Sequence, residues 1–371
     1  MPNNRRMLKA AAGVETGLKL YMWGANNRGV LGNGGTSNVS SMQQVGSAGW
    51  LNGMTEAFTT MAIKADYSLW GWGENSYGEL GIGDTTDRSS PVRVGSLNDW
   101  KEVFVGHNHS HAIKTDGTLW AWGNNGGGQA GNSAIGHLSS PVQIGTLTNW
   151  STIGHGRGNT QAIKTDGTIW YWGGNSGGAL GDGTTTTYSS PVQFGSATNW
   201  TACDQAWGAG YRIGGGILWS QGDRQYGGLG QTPWPSNRSN LTSAQVGSAT
   251  NWRSIRGGTV TAAATQTNNT LWTWAENHAG ALGFGNLDAP STPRQVGALT
   301  NWLKTGRFNH SASMIKTDGT LWFCGRASSG QRGDNDITAV SSPIQIGSLD
   351  TWVYASANGH LIQSNHIGFR T

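Results

Sequence analysis

A period constrains this chain more than any other feature. A tryptophan stands at positions 50, 100, 150, 200, 252, 302 and 352, usually after Asn or Asp, at spacings of 50, 50, 50, 52, 50 and 50 residues. In step with it, an aromatic residue recurs at Tyr21, Trp70, Trp120, Trp170, Trp219, Trp272 and Trp322. A third marker, Ser-Ser-Pro-Val-x-x-Gly, is complete at Ser89 to Gly95, Ser139 to Gly145 and Ser189 to Gly195, and degraded in the other units. Self-similarity at such a period marks a repeat architecture, in which no unit buries its apolar face without its neighbours.

Inside each unit lies a hairpin. Its best copy is Ala162 to Gly173, two strand-forming runs around Asp166-Gly167, a pair that favours a tight turn with its central residues at positive φ. Gly215-Gly216 and Asn268-Asn269 stand at the same place in other units, and both residue types tolerate positive φ. Asp66-Tyr67 breaks the rule, so a different turn is expected there. Each unit holds four short extended runs, as at Trp100 to Val105, Ser110 to Thr115, Thr118 to Gly123 and Pro141 to Gly145. Four strands taken seven times predict an all-β, seven-bladed β-propeller of four-stranded antiparallel blades. A stacked solenoid would need capping repeats. Instead the first unit begins at Lys19 to Gly24 and the last ends at Trp352 to Ala355 and His360 to Gln363, so N- and C-terminal strands should share the closing blade and leave no open edge. The expected organisation is one domain over 17–371, preceded by a basic arm over 1–16.

The texts Leu119-Trp120-Ala121-Trp122-Gly123, Asn75 to Asp84 and Pro-Val-x-x-Gly together resemble the regulator of chromosome condensation repeat over about Lys19 to Gln363. The resemblance implies a seven-bladed propeller. The family's best-known role implies guanine-nucleotide exchange on a small nuclear GTPase with chromatin binding, through a basic tail and a protruding β-wedge. Here the arm holds only Arg5, Arg6 and Lys9, and the loop around Trp234 exceeds its equivalents by three residues, too few for a wedge. The opening Arg5-Arg6-Met7-Leu8-Lys9-Ala10-Ala11-Ala12-Gly13 is similar to the starts of bacteriophage tail and surface proteins, some of which carry these repeats. That implies a virion protein docked through its arm, with Met7 and Leu8 as apolar anchors.

Composition narrows the partners. Charged residues are 12% of the chain, about half the usual share of roughly 25%, so the surface is built from Ser, Thr, Asn, Gln and Gly. Such a surface suits an extracellular or assembled protein at least as well as a cytoplasmic one. A net charge of +4 without a cluster of Lys and Arg is no nucleic-acid footprint. No apolar run is long enough for a signal peptide or a membrane span. Cys203 and Cys324 fall in different repeats and are not expected to pair.

Eighteen of the twenty tryptophans sit on repeat markers, and burial between blades is expected of them. Trp207 and Trp234 do not, and Trp234 lies between two prolines in the longest loop, so both are candidate contact residues. His107, His109 and His111 alternate along a strand and share a face. Because no Asp, Glu or Cys nearby completes a ligand set, no metal is expected. Gly126 to Gly131 matches Gly-x-Gly-x-x-Gly without the helix that motif requires, and no Gly-Lys-Ser/Thr exists, so no cofactor is expected. No nucleophile with a base and no paired carboxylates stand out, which points away from an enzyme. Variation is concentrated seven to nine residues after each marker Trp, in loops that share one propeller face. The candidate binding ring there comprises His107, Asn108, His109, Arg157, Asn159, Trp207, Asn309, His310 and His360. The expectation is a non-enzymatic structural or interaction protein, a virion surface or tail component whose partners are other chains of the assembly and a host surface glycan or protein. Nucleotide exchange or chromatin binding is one alternative and a carbohydrate-binding propeller another.

Overall fold

The computed structural model describes residues 17–47, 49–223, 228–231, 239–360 and 363–371, the side chains of 358–360 and 363 excepted. The arm residues Arg5, Arg6, Met7, Leu8 and Lys9 and the loop residue Trp234 lie outside the described residues. No described helix is long and apolar enough to cross a membrane.

Seven four-stranded antiparallel sheets carry the repeats. Blade 1 runs from Trp50–Glu56 through Thr59–Lys64 and Leu69–Gly73 to Arg88–Arg93. Blades 2 to 6 start at Trp100, Trp150, Trp200, Trp252 and Trp302 in the same order. Blade 7 is composite: Trp352–His360 and Gln363–Arg370 from the C-terminus, then Lys19–Gly24 and Val39–Gln44 from the N-terminus. Within it Leu20 pairs with Phe369 and Trp23 with His366, so the ring is closed by both ends of the chain as the split unit requires. First strands of successive blades touch one another around most of the ring, which places them around the axis. Fourth strands, with half-buried or exposed residues such as those of Leu138–Gln143, form the rim.

Apolar clusters fill the spaces between blades, each built from two neighbours, such as Phe104, Ile113, Trp150, Ile153 and Trp172 between blades 2 and 3. Trp72, Trp122 and Trp172 are wholly buried. Each sends its indole N–H into the glycine-rich loop of the preceding blade, to the carbonyls of Val30, Glu79 and Gln129 at 2.8, 2.6 and 2.7 Å. Gly131 explains why that loop is rich in glycine. It sits at φ +78° with the Trp172 ring against it, where a Cβ would lie 2.8 Å from Nε1. The apparent dinucleotide fingerprint at Gly126 to Gly131 is this socket for a tryptophan.

The hairpin turn differs from the expected one. In Asp116-Gly117 only Gly117 has positive φ, and its N–H donates to the Lys114 carbonyl at 3.0 Å. Both central residues are left-handed only at Gly215-Gly216. Asp66-Tyr67 forms the same turn as the Asp-Gly copies, against expectation. Tyr67 takes φ +61°, and its N–H reaches the Lys64 carbonyl at 2.9 Å. What the copies share is the aspartate, not the glycine. Asp66, Asp116, Asp166 and Asp318 each accept the N–H of the residue two places on, and that bond holds the turn whichever residue follows the aspartate.

Candidate functional site

Strands one and three of a blade run parallel, so the loops that follow them share one face, called here the upper face. Seen from that face, the axis is nearly filled. The space along it, lined by the first strands of six blades and by Arg307 just beyond the first strand of blade 6, is about 40 Å³, room for a few water molecules at most. Arg307 closes it, with Nη1 on Glu56 Oε2 at 2.8 Å and Nη2 on Asp204 Oδ1 at 2.7 Å. Nη2 also donates to the His155 carbonyl at 2.5 Å, so one guanidinium ties blades 1, 3, 4 and 6. Burial opposes its charge, but Asp204 and Glu56 outweigh that and raise its pKa. Burial likewise raises the Glu56 carboxyl above its ordinary value, against the pull of Arg307.

The candidate ring residues divide by depth. Arg157 and Trp207 are exposed, and the guanidinium of Arg157 stacks 4.3 Å from the centre of the Trp207 ring, from one blade to the next. His107, Asn108 and His310 are half-buried. Asn108 Nδ2 donates to Glu79 Oε1 at 3.2 Å and Asn108 Oδ1 contacts His107 Nδ1. Burial lowers the pKa of both His107 and His310. His109, Asn159 and Asn309 are buried, contrary to their expected display on the face. His109 and Asn159 begin the second strand of their blades and Asn309 stands two residues before it, where side chains turn into the blade interface. Asn159 donates to the Gly174 carbonyl at 3.3 Å and Asn309 accepts the Thr259 N–H. His360 ends the first strand of blade 7, and its side chain lies outside the described set.

Arg157 and Trp207 stand over the least regular interface in the ring. Between blades 3 and 4 the buried apolar cluster is only Ile163, Ile169 and Cys203, with Phe194 and Trp200 packed against it. Gln221 occupies the place of the third-strand tryptophan and takes over its bond, donating to the Ala179 carbonyl at 3.1 Å. Arg212 is buried beside it, its guanidinium 3.8 Å from the Phe194 ring and bonded to the Leu180 carbonyl at 2.9 Å. Burial pushes Arg212 down to about 9. On the rim of the same two blades lies an open groove of about 610 Å³, lined among others by Tyr171, Asp182, Gln193, Phe194, Trp200 and Trp219. Sequence reasoning found Trp207 by its absence from the marker positions. It missed the groove, because Trp200 and Trp219 are markers and burial was expected of them. Trp200 is half-buried where the marker tryptophan that opens each other blade is buried, and Gly214 stands at the place of a lysine. In four other blades Lys64, Lys114, Lys164 or Lys316 covers the equivalent aromatic pair.

A second assembly is buried near the axis. His109 and His111 on the second strand of blade 2 meet His155 at the end of the first strand of blade 3, and the three rings are at most 1% exposed. The two cysteines are free and buried, Cys203 and Cys324 lying in different apolar clusters. Among the described residues no nucleophile, base and orienting acid converge.

Models of the regulator of chromosome condensation (RCC1) repeat match residues 67–113 and 100–129. No curated protein matches the sequence. Solved structures share the architecture over nearly the whole chain. Prp20p from Saccharomyces cerevisiae, described with its binding to Gsp1p and histones, is 15% identical with a TM-score of 0.82, covering 96% of this chain and 92% of its own. Human WBSCR16 is 16% identical with a TM-score of 0.82, covering 95% of this chain and 99% of its own. Yeast Prp20 bound to Kap60 is 16% identical with a TM-score of 0.83, covering 100% of this chain and 96% of its own.

Proposed function

From a chain that carries RCC1 repeats and closes them into a seven-bladed propeller, we propose a non-enzymatic interaction protein that engages its partner with the upper face above blades 3 and 4. The observation that carries this is the exposed Trp207 stacked on Arg157 over the thinnest apolar interface of the ring. An aromatic with an arginine on a rigid frame is the composition from which dominant contacts of protein interfaces are made. The plugged axis and the lack of converging catalytic groups among the described residues favour binding over chemistry.

The setting is an assembly, a virion surface or tail component held by the 1–16 arm with this face outward. The sequence of the arm supports that reading, as does the low charge of the chain. At these identities the fold likeness to Prp20p carries no partner to this chain. Three basic residues in the arm are too few to grip nucleosomes, so nucleotide exchange on chromatin is not the reading. The rim groove favours a sugar as a further ligand, since its volume and its aromatic and polar walls suit a saccharide ring.

The test is purification of the assembly from cells that make it, with Trp207→Ser and Arg157→Ser against Ile135→Ser on another exposed loop. The first two variants should lose a stoichiometric partner while melting like the parent, and Ile135→Ser should keep it. Retention of the partner by Trp207→Ser with Arg157→Ser overturns the face assignment. A glycan array with the same proteins tells a sugar ligand from a protein one.

A further inference from the structure

The three buried histidines present more nitrogen than their surroundings satisfy. His155 Nε2 lies 3.3 Å from His111 Nδ1, and one nitrogen from each ring falls within 4.8 Å of the others. A hydrogen bond accounts for that one contact. Both nitrogens of His109 and the Nε2 of His111 make no hydrogen bond of good geometry, although the Ala130 backbone stands where it favours a proton on His111. Buried polar atoms without partners are rare and call for a ligand or an ion. Around the rings the walls are apolar or aromatic. Phe104 tilts over His155 at 5.7 Å, Trp172 meets His111 edge-on at 5.7 Å, and Gly106 lies so close to His109 that a Cβ there would sit 2.5 Å from its Cε1.

We propose that His109, His111 and His155 form an all-nitrogen site for a transition-metal ion of the zinc class, which joins blade 2 to blade 3 beside the axis. Two nitrogens bound to one tetrahedral zinc at about 2.0–2.1 Å stand roughly 3.3 Å apart, the separation already present between His155 and His111. A modest swing of His109 supplies the third. Three imidazoles with no carboxylate select zinc, copper or nickel over magnesium or calcium. The three rings lie buried with no carboxylate among their close contacts, and both nitrogens of His109 and the Nε2 of His111 are left without a hydrogen bond, so their lone pairs face one another and are open to a metal. The nearest cations are Arg307, which Glu56 and Asp204 neutralise, and His107, which burial disfavours as a cation. Of the three ligands only His155 reaches the small axial space that Arg307 closes, so the ion is taken up as the ring folds and is not exchanged through an open channel. The alternation of His109 and His111 is visible in the sequence. His155 comes from the next blade, which is why no ligand set closes along the chain.

The fold itself supplies conservative variants. Gln161 and Gln205 occupy in later blades the positions of His111 and His155, so His111→Gln and His155→Gln replace each histidine with a residue the ring already accepts there. The full chain is stripped with a chelator in mild denaturant and refolded with Zn²⁺ or Co²⁺, and metal content, melting and the cobalt spectrum are read. The parent should hold one ion per chain, melt higher with zinc, and show the intense visible bands of tetrahedral cobalt. Each variant should bind more than about 100-fold more weakly, beyond what loss of a group that merely orients a ligand costs. Parent protein that refolds with less than stoichiometric zinc and no cobalt bands overturns the proposal. So does stoichiometric binding that survives His155→Gln and is lost in His137→Ala or His278→Ala, which would put the ion on the surface. Should a variant fail to fold, the cobalt spectrum of the parent decides alone.

Discussion

At Thr168 one hydroxyl donates to Asp166 Oδ1 at 2.7 Å and accepts the Trp170 indole N–H at 3.0 Å, while the Lys164 ammonium sits 3.6 Å from the centre of that ring. The repeated text Lys-Thr-Asp-Gly-Thr-x-Trp is therefore one device. Aspartate holds the turn, threonine aims the indole, and lysine covers the ring and the marker Trp150 beneath it. Substituting Thr168→Val should cost about 1–2 kcal/mol, because a part-buried indole N–H and the aspartate both lose a partner. Four residues on, Trp172→Ala should cost about 3–5 kcal/mol through the cavity it leaves between blades 2 and 3. Urea unfolding of the pair checks the ranking. An equal effect of both would mean that the ring collapses around the missing Trp172 and that the threonine bonds count for as much as the buried indole.

At the scale of elements, blade 7 is the one sheet whose register joins distant parts of the chain. Lys19–Gly24 pairs over its whole length with the last strand, Gln363–Arg370, and the Trp23 indole donates to the Gln331 carbonyl of blade 6 at 2.8 Å. Removing residues 352–371 takes away two strands and both apolar interfaces that blade 7 makes, those around Leu20, Met22 and Phe369 and around Trp352 and Phe323. The truncated chain should lose cooperative melting altogether, as monitored by tryptophan fluorescence. A melt like that of the full chain would mean that six blades stand without closure. Blade 4 shows the opposite behaviour. There Gln221 and Cys203 replace an aromatic and an aliphatic without loss of the sheet, because Gln221 keeps the bond to the preceding loop that the indole makes elsewhere.

For the molecule as a whole, the buried imidazoles set the response to acid. His109 and His366 are pushed down to about 3 by burial, and His111 and His155 are pushed well below their ordinary value by the same cause. An unfolded chain takes up protons at these four sites below about 6.5, whereas the folded one does not. The stability they contribute is thus complete above that pH and is lost as the pH falls toward 3. Each site adds up to about 1.4 kcal/mol per pH unit in that window, so the metal-free protein should weaken progressively as the pH falls below about 6.5. Glu56 and Glu79, whose pKa values burial raises, work in the other direction, but they are two groups against four. Urea midpoints measured from pH 7 to 4.5 report the slope. A flat profile would mean that the imidazoles are solvated or already charged in the folded state.

Period, strand count and the split first and last units are local properties of the text, so the sequence by itself determined seven four-stranded blades, their closure by both termini, and the burial of Trp72, Trp122 and Trp172. Each of those follows from spacing, turn chemistry and alternation along one strand. Depth and neighbourhood across blades are not properties of any one strand, and only the tertiary structure decided them. It turned His109, Asn159 and Asn309 inward while leaving Trp207 and Arg157 outside and in contact. It set Arg307 among acids 251 and 103 residues away and brought His155 to His111 across 44 residues. The physical reason is that a propeller packs side chains between units whose relative rotation is fixed only when the ring closes, so a residue's partner lies one or several units away and at a depth that its own strand does not encode.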